Sequence, residues 1–323
     1  MGKIKKKPIL LFVIAIVALY AIIYIIPSVT GALISSYTAE YGELKVSDET
    51  TGYIVRNETV YLASSGGEIN RYIEEGSLVR QGTSVMEING GSGEEISSEY
   101  TDLLTRLGDA AVTSQDYTVG EGGVVSYYAD GYESRLNPDN MEKGGYSYYS
   151  KLSQDNVTDL KRDSAAAGEP VYKVVDRTKW YIVCFVDKEH GDRYEKGRQV
   201  TVEFDDDFVE TEVYSAEEQD GRVRVILETD YYYSQFAQRR VADVQLVTYD
   251  EQGLLVENSS IVEKDGKQGV YVKNKTGEYT FMAVKVYATD GERSLIADDF
   301  FYDDEGEMTD TVEIYDEVLK NPD

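Results

Sequence analysis

An uninterrupted apolar run from Ile9 to Ile26 is the feature that most constrains this chain. As a helix rising about 1.5 Å per residue it reaches roughly 27 Å, close to the hydrocarbon thickness of a bilayer. It exceeds the apolar core of about 7–15 residues found in cleaved signal peptides. Four lysines precede it, and positive charge keeps that end of a first span in the cytoplasm. We therefore predict that residues 1–34 form a cytoplasmic tail and a single-pass anchor in the cell membrane, with the bulk of the chain extracellular or periplasmic.

The charge of the chain beyond the anchor excludes one class of partner. The sequence holds 32 Lys and Arg against 60 Asp and Glu; four of the lysines precede the apolar run, so 28 basic residues remain outside and the exterior part carries a formal charge of −32. Such a surface repels phosphate backbones and anionic lipid head groups, and no nucleic-acid partner is predicted. Cys184 is the only cysteine, which excludes an intramolecular disulfide.

Patterning after the anchor predicts a mainly β fold. The 28 tyrosines, against 8 phenylalanines, suit half-buried strand positions where the ring packs and the hydroxyl stays hydrated. Asp-Gly pairs at 220, 265 and 290 are typical of hairpin turns. The sequence lacks the alternation of strands and long helices that a parallel α/β fold requires.

Two similar short segments predict two halves of one small sandwich. The aligned pairs are Gly67 with Gly123, Ile69 with Val125, Tyr72 with Tyr128, and Glu74 with Asp130. Because glycine reaches backbone conformations that other residues avoid, the glycines around these segments are predicted to form turns between strands. These structural glycines are Gly67, Gly76, Gly82, Gly123 and Gly131.

The segment between the halves, residues 92–118, predicts one amphipathic helix of about four turns, roughly 20 Å long. Ser92 to Glu95 resembles a capping box, and Gly108 is a suitable stop. The apolar residues that fall on one helical face are Ile96, Tyr100, Leu103, Leu104 and Leu107. We predict a short insertion that projects from the sandwich, with packing against the sandwich as the simpler role of its apolar face.

No residue pattern points to catalysis, a cofactor or a metal, and a non-enzymatic protein is predicted. His190 is the only histidine and lies in a turn-like segment, while Cys184 is expected to be a small buried hydrophobe. The acidic run 205–207 lacks the spacing of a calcium-binding loop. The sandwich contains no lysine between Lys45 and Lys143, which excludes attachment of lipoate or biotin.

The order of these pieces resembles the HlyD-type membrane fusion protein family, also called periplasmic adaptors. Members share an N-terminal anchor, a lipoyl-like (barrel-sandwich hybrid) domain split by a helical insertion, a β-barrel and a membrane-proximal β domain. The matching motifs are residues 67–82 for the first lipoyl half, 123–131 for the second, 168–175 for the start of the barrel, 197–200 for a Gly-x-x-Val element, and 253–262 with 269–272 and 284–286 for the return toward the membrane.

The resemblance implies a division of the exterior chain into consecutive parts. These are 35–59, a neck with the first membrane-proximal strands; 60–135, the lipoyl-like domain with its insertion 92–118; 136–167, a polar connector; 168–250, the β-barrel; 251–302, the membrane-proximal β domain; and 303–323, an exposed acidic tail.

The resemblance also implies a function: a scaffold subunit of an efflux or secretion transporter of the ABC type, which contacts the permease and assembles as a homo-oligomer. The candidate contact residues are Arg71, Tyr72, Arg80, Tyr127 and Tyr128. The two arginines would pair with carboxylates of a neighbouring copy, unless both are simply solvated surface charges.

The short insertion separates this chain from many adaptors of two-membrane bacteria, which dock onto an outer-membrane channel through a long helical hairpin. Each arm of a hairpin made from residues 92–118 would be under about 20 Å. A single-membrane bacterium fits better. The shortness also supports a second hypothesis, a cell-envelope or division-associated structural protein with the same fold, whereas a third, an extracellular hydrolase, has no motif behind it.

The predicted topology can be tested with intact spheroplasts. Protease added outside should digest the domain from Ser35 onward, because the anchor places that domain beyond the membrane. Immunoblots against the two ends of the protein give the measurement, and a cytoplasmic enzyme that stays intact is the control. Protection of the domain, or a mature N-terminus beyond Pro27, would contradict the topology.

Overall fold

The computed structural model describes residues 35–91, 95–153, 157–205, 207–233, 239–303 and 305–322, together with Ile16, Leu19 and Tyr20. The predicted anchor lies outside these residues except for those three. In this described part of the chain, no helix is long and apolar enough to cross a membrane. The chain divides into two compact units, a larger one from Ser47 to Thr248 and a smaller one made of the residues up to Val46 and from Tyr249.

Strands dominate both units, which confirms the prediction of a mainly β fold. They are β1 Ser36–Thr38, β2 Glu40–Val55, β3 Glu58–Ala63, β4 Gly67–Arg71, β5 Leu78–Val79, β6 Met86–Asn89, β7 Ala111–Ser114, β8 Gly123–Ser126, β9 Tyr128–Ala129, β10 Thr158–Asp159, β11 Ser164–Ala165, β12 Pro170–Val175, β13 Trp180–Asp187, β14 Gln199–Phe204, β15 Asp207–Gln219, β16 Arg222–Thr229, β17 Val241–Glu257, β18 Val262–Lys264, β19 Lys267–Lys273, β20 Tyr279–Ala283, β21 Val286–Thr289, β22 Arg293–Ile296, β23 Phe300–Tyr302, β24 Met308–Asp310 and β25 Glu317–Leu319. The helices are α1 Ser98–Leu107 and α2 Tyr146–Tyr149, with 3₁₀ turns at Gly108–Ala110, Lys188–Arg193 and Asn258–Ser260.

The first part of the larger unit is a sandwich. One sheet has the strand order β11–β4–β6, and the other has the order β5–β8–β12–β3–β7. Ile69 from the first sheet and Val125 from the second belong to one hydrophobic core, and the rings of Tyr61 and Tyr172 stack in it with centroids 4.5 Å apart. The prediction that the two similar segments share one sandwich is therefore confirmed.

The insertion differs from its prediction in extent and in placement. Helix α1 begins at Ser98, after Ser97 as its N-cap, so Ile96 precedes the helix and is 41% exposed. The helix ends at Leu107 before Gly108, as predicted. The prediction that residues 92–118 project is wrong, because the buried face of α1 joins the sandwich core and β7 then pairs in parallel with β3. Because an isolated helix of ten residues is marginal in water, α1 depends on the packing of its apolar stripe in the sandwich core. Ser92, Gly93 and Glu94 lie outside the described residues.

The second part of the larger unit is a closed six-stranded barrel. Neighbouring strands follow the order β14–β15–β16–β13–β2–β17, and β17 pairs with β14 to complete the circle. Its core includes Trp180, Ile182, Cys184, Phe204 and Leu246.

The predicted start of the barrel at residue 168 is wrong. Strand β12 lies between β3 and β8 in the sandwich sheet, and all six of its residues are buried. A continuous buried run is what a central strand covered on both faces needs. The barrel instead takes its first strand from β2, within the predicted neck 35–59, and resumes after the sandwich with β13 at Trp180.

Two further segments predicted as polar or exposed carry core residues. In the predicted connector 136–167, Leu136, Met141 and Tyr149 pack with Phe185, and the segment also supplies the short strands β10 and β11. In the smaller unit, the predicted acidic tail 303–323 supplies β25, which pairs with β1. Its Val312 and Val318 are fully buried. In both segments the apolar residues spaced among the polar ones determine that the segment packs on a core, because burying them is favourable wherever the charged side chains can stay in water.

Gly76 offers a test of the predicted turns, since its φ is +77° and a Cβ would meet no atom within 4 Å. Gly76→Val should lower the free energy of unfolding by about 1–2 kcal/mol, through backbone strain alone. Gly91→Val is the matched control, because Gly91 is equally open but has an ordinary φ. Denaturant titration followed by the fluorescence of Trp180 gives the measurement; equal effects of the two substitutions would contradict the role of the turn.

Candidate functional site

The candidate contact residues do not form one exposed surface. Tyr72 is 54% exposed, and Arg80 is exposed too. Between them Leu78, on the short edge strand β5, is 58% exposed although sequence reasoning did not select it. The signal that could have found Leu78 is its place directly before Val79, because alternate residues of a strand face opposite sides.

Arg71 and Tyr127 are used inside the sandwich, which corrects their prediction as contact residues. The Arg71 guanidinium donates hydrogen bonds to the carbonyls of Leu160 and Arg162, at 3.3 and 2.7 Å, and lies over the Tyr127 ring. Tyr127 is 1% exposed and its hydroxyl donates to the carbonyl of Ile73 at 2.6 Å. The polar ends of Arg71 and Tyr127 therefore bind backbone carbonyls of the same domain and are not available to a partner.

Tyr128 is half-buried, and Lys161 lies with its ammonium 4.9 Å from the centre of the Tyr128 ring. Tyr128 can therefore contribute only its outer edge to a partner. Of the predicted contact residues, Tyr72 and Arg80 stay exposed. These two together with the exposed Leu78 are called the edge surface.

The predicted structural glycines serve two different purposes. Gly76, Gly82 and Gly131 have φ values of +77°, +81° and +76°, as turns require. Gly67 and Gly123 instead permit close approach of backbones: a Cβ on either would lie 2.4 Å from a carbonyl oxygen of a neighbouring strand.

A buried charge network occupies the junction of the sandwich and the barrel, and the sequence analysis did not predict it. Its members are Arg56, Glu58, Asp130, Glu133, Lys173 and Arg240, all at most 7% exposed. Three are cations and three are carboxylates, so the network is formally neutral. Sandwich strands β3 and β12 supply Glu58 and Lys173, and the loop after β9 supplies the other two acids. Arg240 immediately precedes β17 of the barrel.

Arg240 makes the bond across the junction. Its Nε and Nη2 donate to the two Asp130 carboxylate oxygens at 2.8 and 3.2 Å, and Nη2 also pairs with Glu58. Such bidentate geometry is a strong, directional form of ion pair. Lys173 lies between two acids, with its Nζ 3.1 Å from Glu58 and 3.2 Å from Glu133, and Arg56 is 2.9 Å from Glu58.

The network divides its carboxylates electrostatically. Burial tends to raise the pKa of Glu58, but Arg240, Arg56 and Lys173 outweigh it and hold that pKa at about 2. Arg240 and Lys173 likewise hold the pKa of Asp130 well below its usual range, against the effect of burial. Burial and the neighbouring charge of Asp130 raise the pKa of Glu133. The network therefore keeps Glu58 and Asp130 ionised at neutral pH.

The two residues weighed as reactive candidates have structural surroundings. Cys184 is fully buried in the barrel core, and burial raises the pKa of its thiol. His190 lies in a 3₁₀ turn and contacts the Asp48 carboxylate, which also binds Arg193 and accepts a hydrogen bond from the Tyr194 hydroxyl. Within the described ranges, no group of three or more potential ligand residues could hold a metal ion.

Two known domain families match the chain. The RND-related barrel-sandwich hybrid domain matches residues 58–176, and the RND-related β-barrel domain matches residues 180–250. Their boundary falls between β12 and β13, where the structure passes from sandwich to barrel. The chain belongs to the membrane fusion, or adaptor, protein family. The matches establish this broader family, and the HlyD type stays a prediction.

Several solved structures are similar to this adaptor. MacA from Actinobacillus actinomycetemcomitans is 11% identical, with 90% of this chain and 100% of that chain covered and a TM-score of 0.40. A putative efflux transporter from Bacteroides eggerthii is 16% identical over 80% and 88% of the two chains, with a TM-score of 0.32. The membrane fusion protein Spr0693 from Streptococcus pneumoniae R6 is 11% identical over 62% and 99%, with a TM-score of 0.28. No curated protein sequence matches the chain.

Removal of Arg240 tests the junction of this adaptor. Arg240→Met leaves Glu58 and Asp130 without their shared cation and should lower the free energy of unfolding by about 3–5 kcal/mol. Arg239→Met is the matched control: Arg239 is the preceding residue, is 38% exposed, and pairs with the exposed Asp205, so its loss should cost less than about 1 kcal/mol. Denaturant titration gives both values.

The electrostatic role of Arg240 also predicts how the stability difference between the natural protein and Arg240→Met changes with pH. In the natural protein, the lowered pKa of Glu58 contributes stability that is present above the unfolded pKa and is lost as pH falls toward about 2. In Arg240→Met both acids become easier to protonate. The deficit should be largest at neutral pH and should shrink as the pH falls toward about 2, because over that interval the folded variant binds protons at Glu58 and Asp130 that the folded natural protein does not. A deficit that does not change with pH would contradict the electrostatic role.

Proposed function

We propose that this protein is a non-catalytic, membrane-anchored adaptor subunit of an efflux or secretion transporter, of the HlyD type and acting with an ABC permease. The observation that carries the proposal is the succession of a barrel-sandwich hybrid domain and a closed β-barrel. A β scaffold tied to the membrane beside a pump acts through its shape and contacts, by completing or gating the exit path. The apolar run at residues 9–26 would supply the tie.

The size and packing of α1 support a single-membrane setting. The helix has ten residues, about 15 Å, and its Tyr100, Leu103 and Leu107 are buried in the sandwich core. A packed helix of that length cannot reach a channel in a second membrane. The adaptor would therefore act at one membrane, on the outer face of its transporter.

The edge surface suits assembly of copies into a ring. Strand β5 ends its sheet and exposes Leu78, and Arg80 follows two residues later. In an exterior of formal charge −32, an exposed arginine beside an exposed leucine offers a neighbour both an apolar contact and a partner for a carboxylate. A surface that meets a different patch on the next copy generates a closed ring when the rotation closes.

The short insertion also favours the second candidate, a cell-envelope or division-associated structural protein built on the same fold. The two candidates differ in the protein that each contacts. Cross-linking in native membranes, followed by purification in mild detergent and mass spectrometry, should capture a transporter permease and its ATPase for the first, and division or wall-assembly proteins for the second. A protein that stays monomeric and without partners, yet turns over a small substrate, would contradict both.

Charge reversal on the edge surface tests self-assembly. Arg80→Glu should lower the yield of cross-linked oligomers at least about tenfold, because like charges facing each other in an interface cost several kcal/mol. Arg198→Glu is the charge-matched control, since Arg198 is exposed on the barrel. Intact folding is checked by the emission of Trp180. Equal loss in both variants, or no loss in either, would remove the edge surface from the interface.

A further inference from the structure

Large exposed apolar side chains are concentrated in one stretch of the smaller unit. The five residues are Phe300, Tyr302, Met308, Ile314 and Tyr315, with exposures of 47, 59, 63, 37 and 72%. Exposed apolar residues scattered singly need no explanation, whereas a contiguous group marks a contact surface. None of these residues belongs to the edge surface or to the charge network.

Three of the five share one face of the hairpin formed by β23 and β24. Tyr302 lies directly opposite Met308, and the rings of Phe300 and Tyr302 have centroids 6.0 Å apart. The alternate residues Phe301 and Thr309 are half-buried on the other face. The exposed face also carries Asp310, opposite Phe300. We call Phe300, Tyr302, Met308 and Asp310 the hairpin face.

The smaller unit is joined to the predicted anchor by a short linker. Strand β1 pairs with β25, the Lys320 amide donates to the Ser35 carbonyl at 2.8 Å, and the exposed Tyr315 donates its amide to Ala39 at 2.9 Å. Ser35 follows Ile26 by nine residues, which span at most about 32 Å when fully extended. A bilayer that holds residues 9–26 is therefore within reach of this unit.

We propose that the hairpin face docks on the zwitterionic head-group surface of the membrane that anchors the chain. The inference rests on the anchor in the proposed function. Aromatic rings with a polar atom favour the boundary between hydrocarbon and water, and Phe300 and Met308 add apolar area. The sequence has no Lys or Arg from 294 to 319. Lys267 lies beside the hairpin but faces its Asp303 carboxylate at 3.9 Å, so anionic head groups gain little there, whereas Asp310 suits the ammonium of a choline or ethanolamine head group.

The linker to the predicted anchor allows a face as small as the hairpin face to stay bound to the membrane. Three side chains alone bind a bilayer weakly, but a linker of eight residues, 27–34, holds the unit beside the surface at an effective concentration in the millimolar range. Docking would fix the orientation of the smaller unit on the membrane without a further span.

The experiment uses the full-length protein in vesicles of phosphatidylcholine that carries bromine on its acyl chains, which quenches tryptophan on contact. Trp180 is the only native tryptophan and is 1% exposed, so the natural protein supplies an unquenched baseline. Phe300→Trp places a reporter on the hairpin face. Phe208→Trp is the matched control, because Phe208 is 58% exposed in the larger unit.

We expect bromine to abolish the emission that Phe300→Trp adds and to leave that of Phe208→Trp unchanged. Adding Tyr302→Ser and Met308→Ser to Phe300→Trp should restore the emission, with Trp180 reporting that the fold is intact. Replacing most of the phosphatidylcholine with phosphatidylglycerol that carries the same acyl-chain bromination should weaken the quenching at low salt, and unchanged quenching would contradict the preference for zwitterionic head groups.

Three results would overturn the proposal: equal quenching of the two reporters, quenching of Phe300→Trp that rises with protein density and so reports a second copy, or quenching that needs a co-reconstituted protein partner. Failure of the protein to float with vesicles would remove the anchor and the docking together. Failure of the adaptor role alone would appear differently, as lipid quenching that persists while cross-linking in native membranes captures no transporter.

Discussion

The buried charge network is the constraint on which the larger unit depends. Arg240 belongs to the barrel, and both acids that bind it, Glu58 and Asp130, belong to the sandwich. Moving these charges out of water is costly, and their attraction offsets that cost only when each finds its partner in good geometry. A displaced barrel would leave carboxylates buried and unpaired. The network thus specifies one arrangement of the two domains more than it adds stability, which suits a scaffold whose use depends on a fixed shape.

Local sequence patterns predicted the turns and strands correctly where these depend on residues close together along the chain. The glycine spacing around Ile69 and Val125 identified the two halves of the sandwich, because turns and strand alternation are written within about ten residues. The same patterns could not show the network, since Arg240 and Asp130 are 110 residues apart. Nothing near Asp130 distinguishes it from a solvated acid in a turn, and only the fold brings its cation to it.

The wrong predictions for Arg71, β12 and the C-terminal segment share one physical cause. The type of a residue does not determine whether the rest of the fold packs over it. Arg71 looks like a surface cation, yet its Nη2 donates to two backbone carbonyls of the loop between β10 and β11. The resemblance of residues 168–175 to the start of a family barrel placed β12 in the barrel, although its run of six buried residues fits a central strand of the sandwich. The many acids of the C-terminal segment led to the prediction of an exposed tail, yet Val312 and Val318 within it are fully buried.

Charge is distributed so that contacts must be selective. The chain beyond residue 26 carries a formal charge of −32, and Arg71, Arg56, Lys173 and Arg240 are among the cations that the fold uses internally. Copies of such a protein repel one another unless an exposed cation or an apolar patch overcomes the repulsion. The described surface offers both at the edge of the sandwich, and apolar contact without cations on the hairpin of the smaller unit. A partner of the edge surface must therefore supply carboxylates for Arg80. A partner of the hairpin face must instead accept the carboxylate of Asp310 beside the apolar side chains.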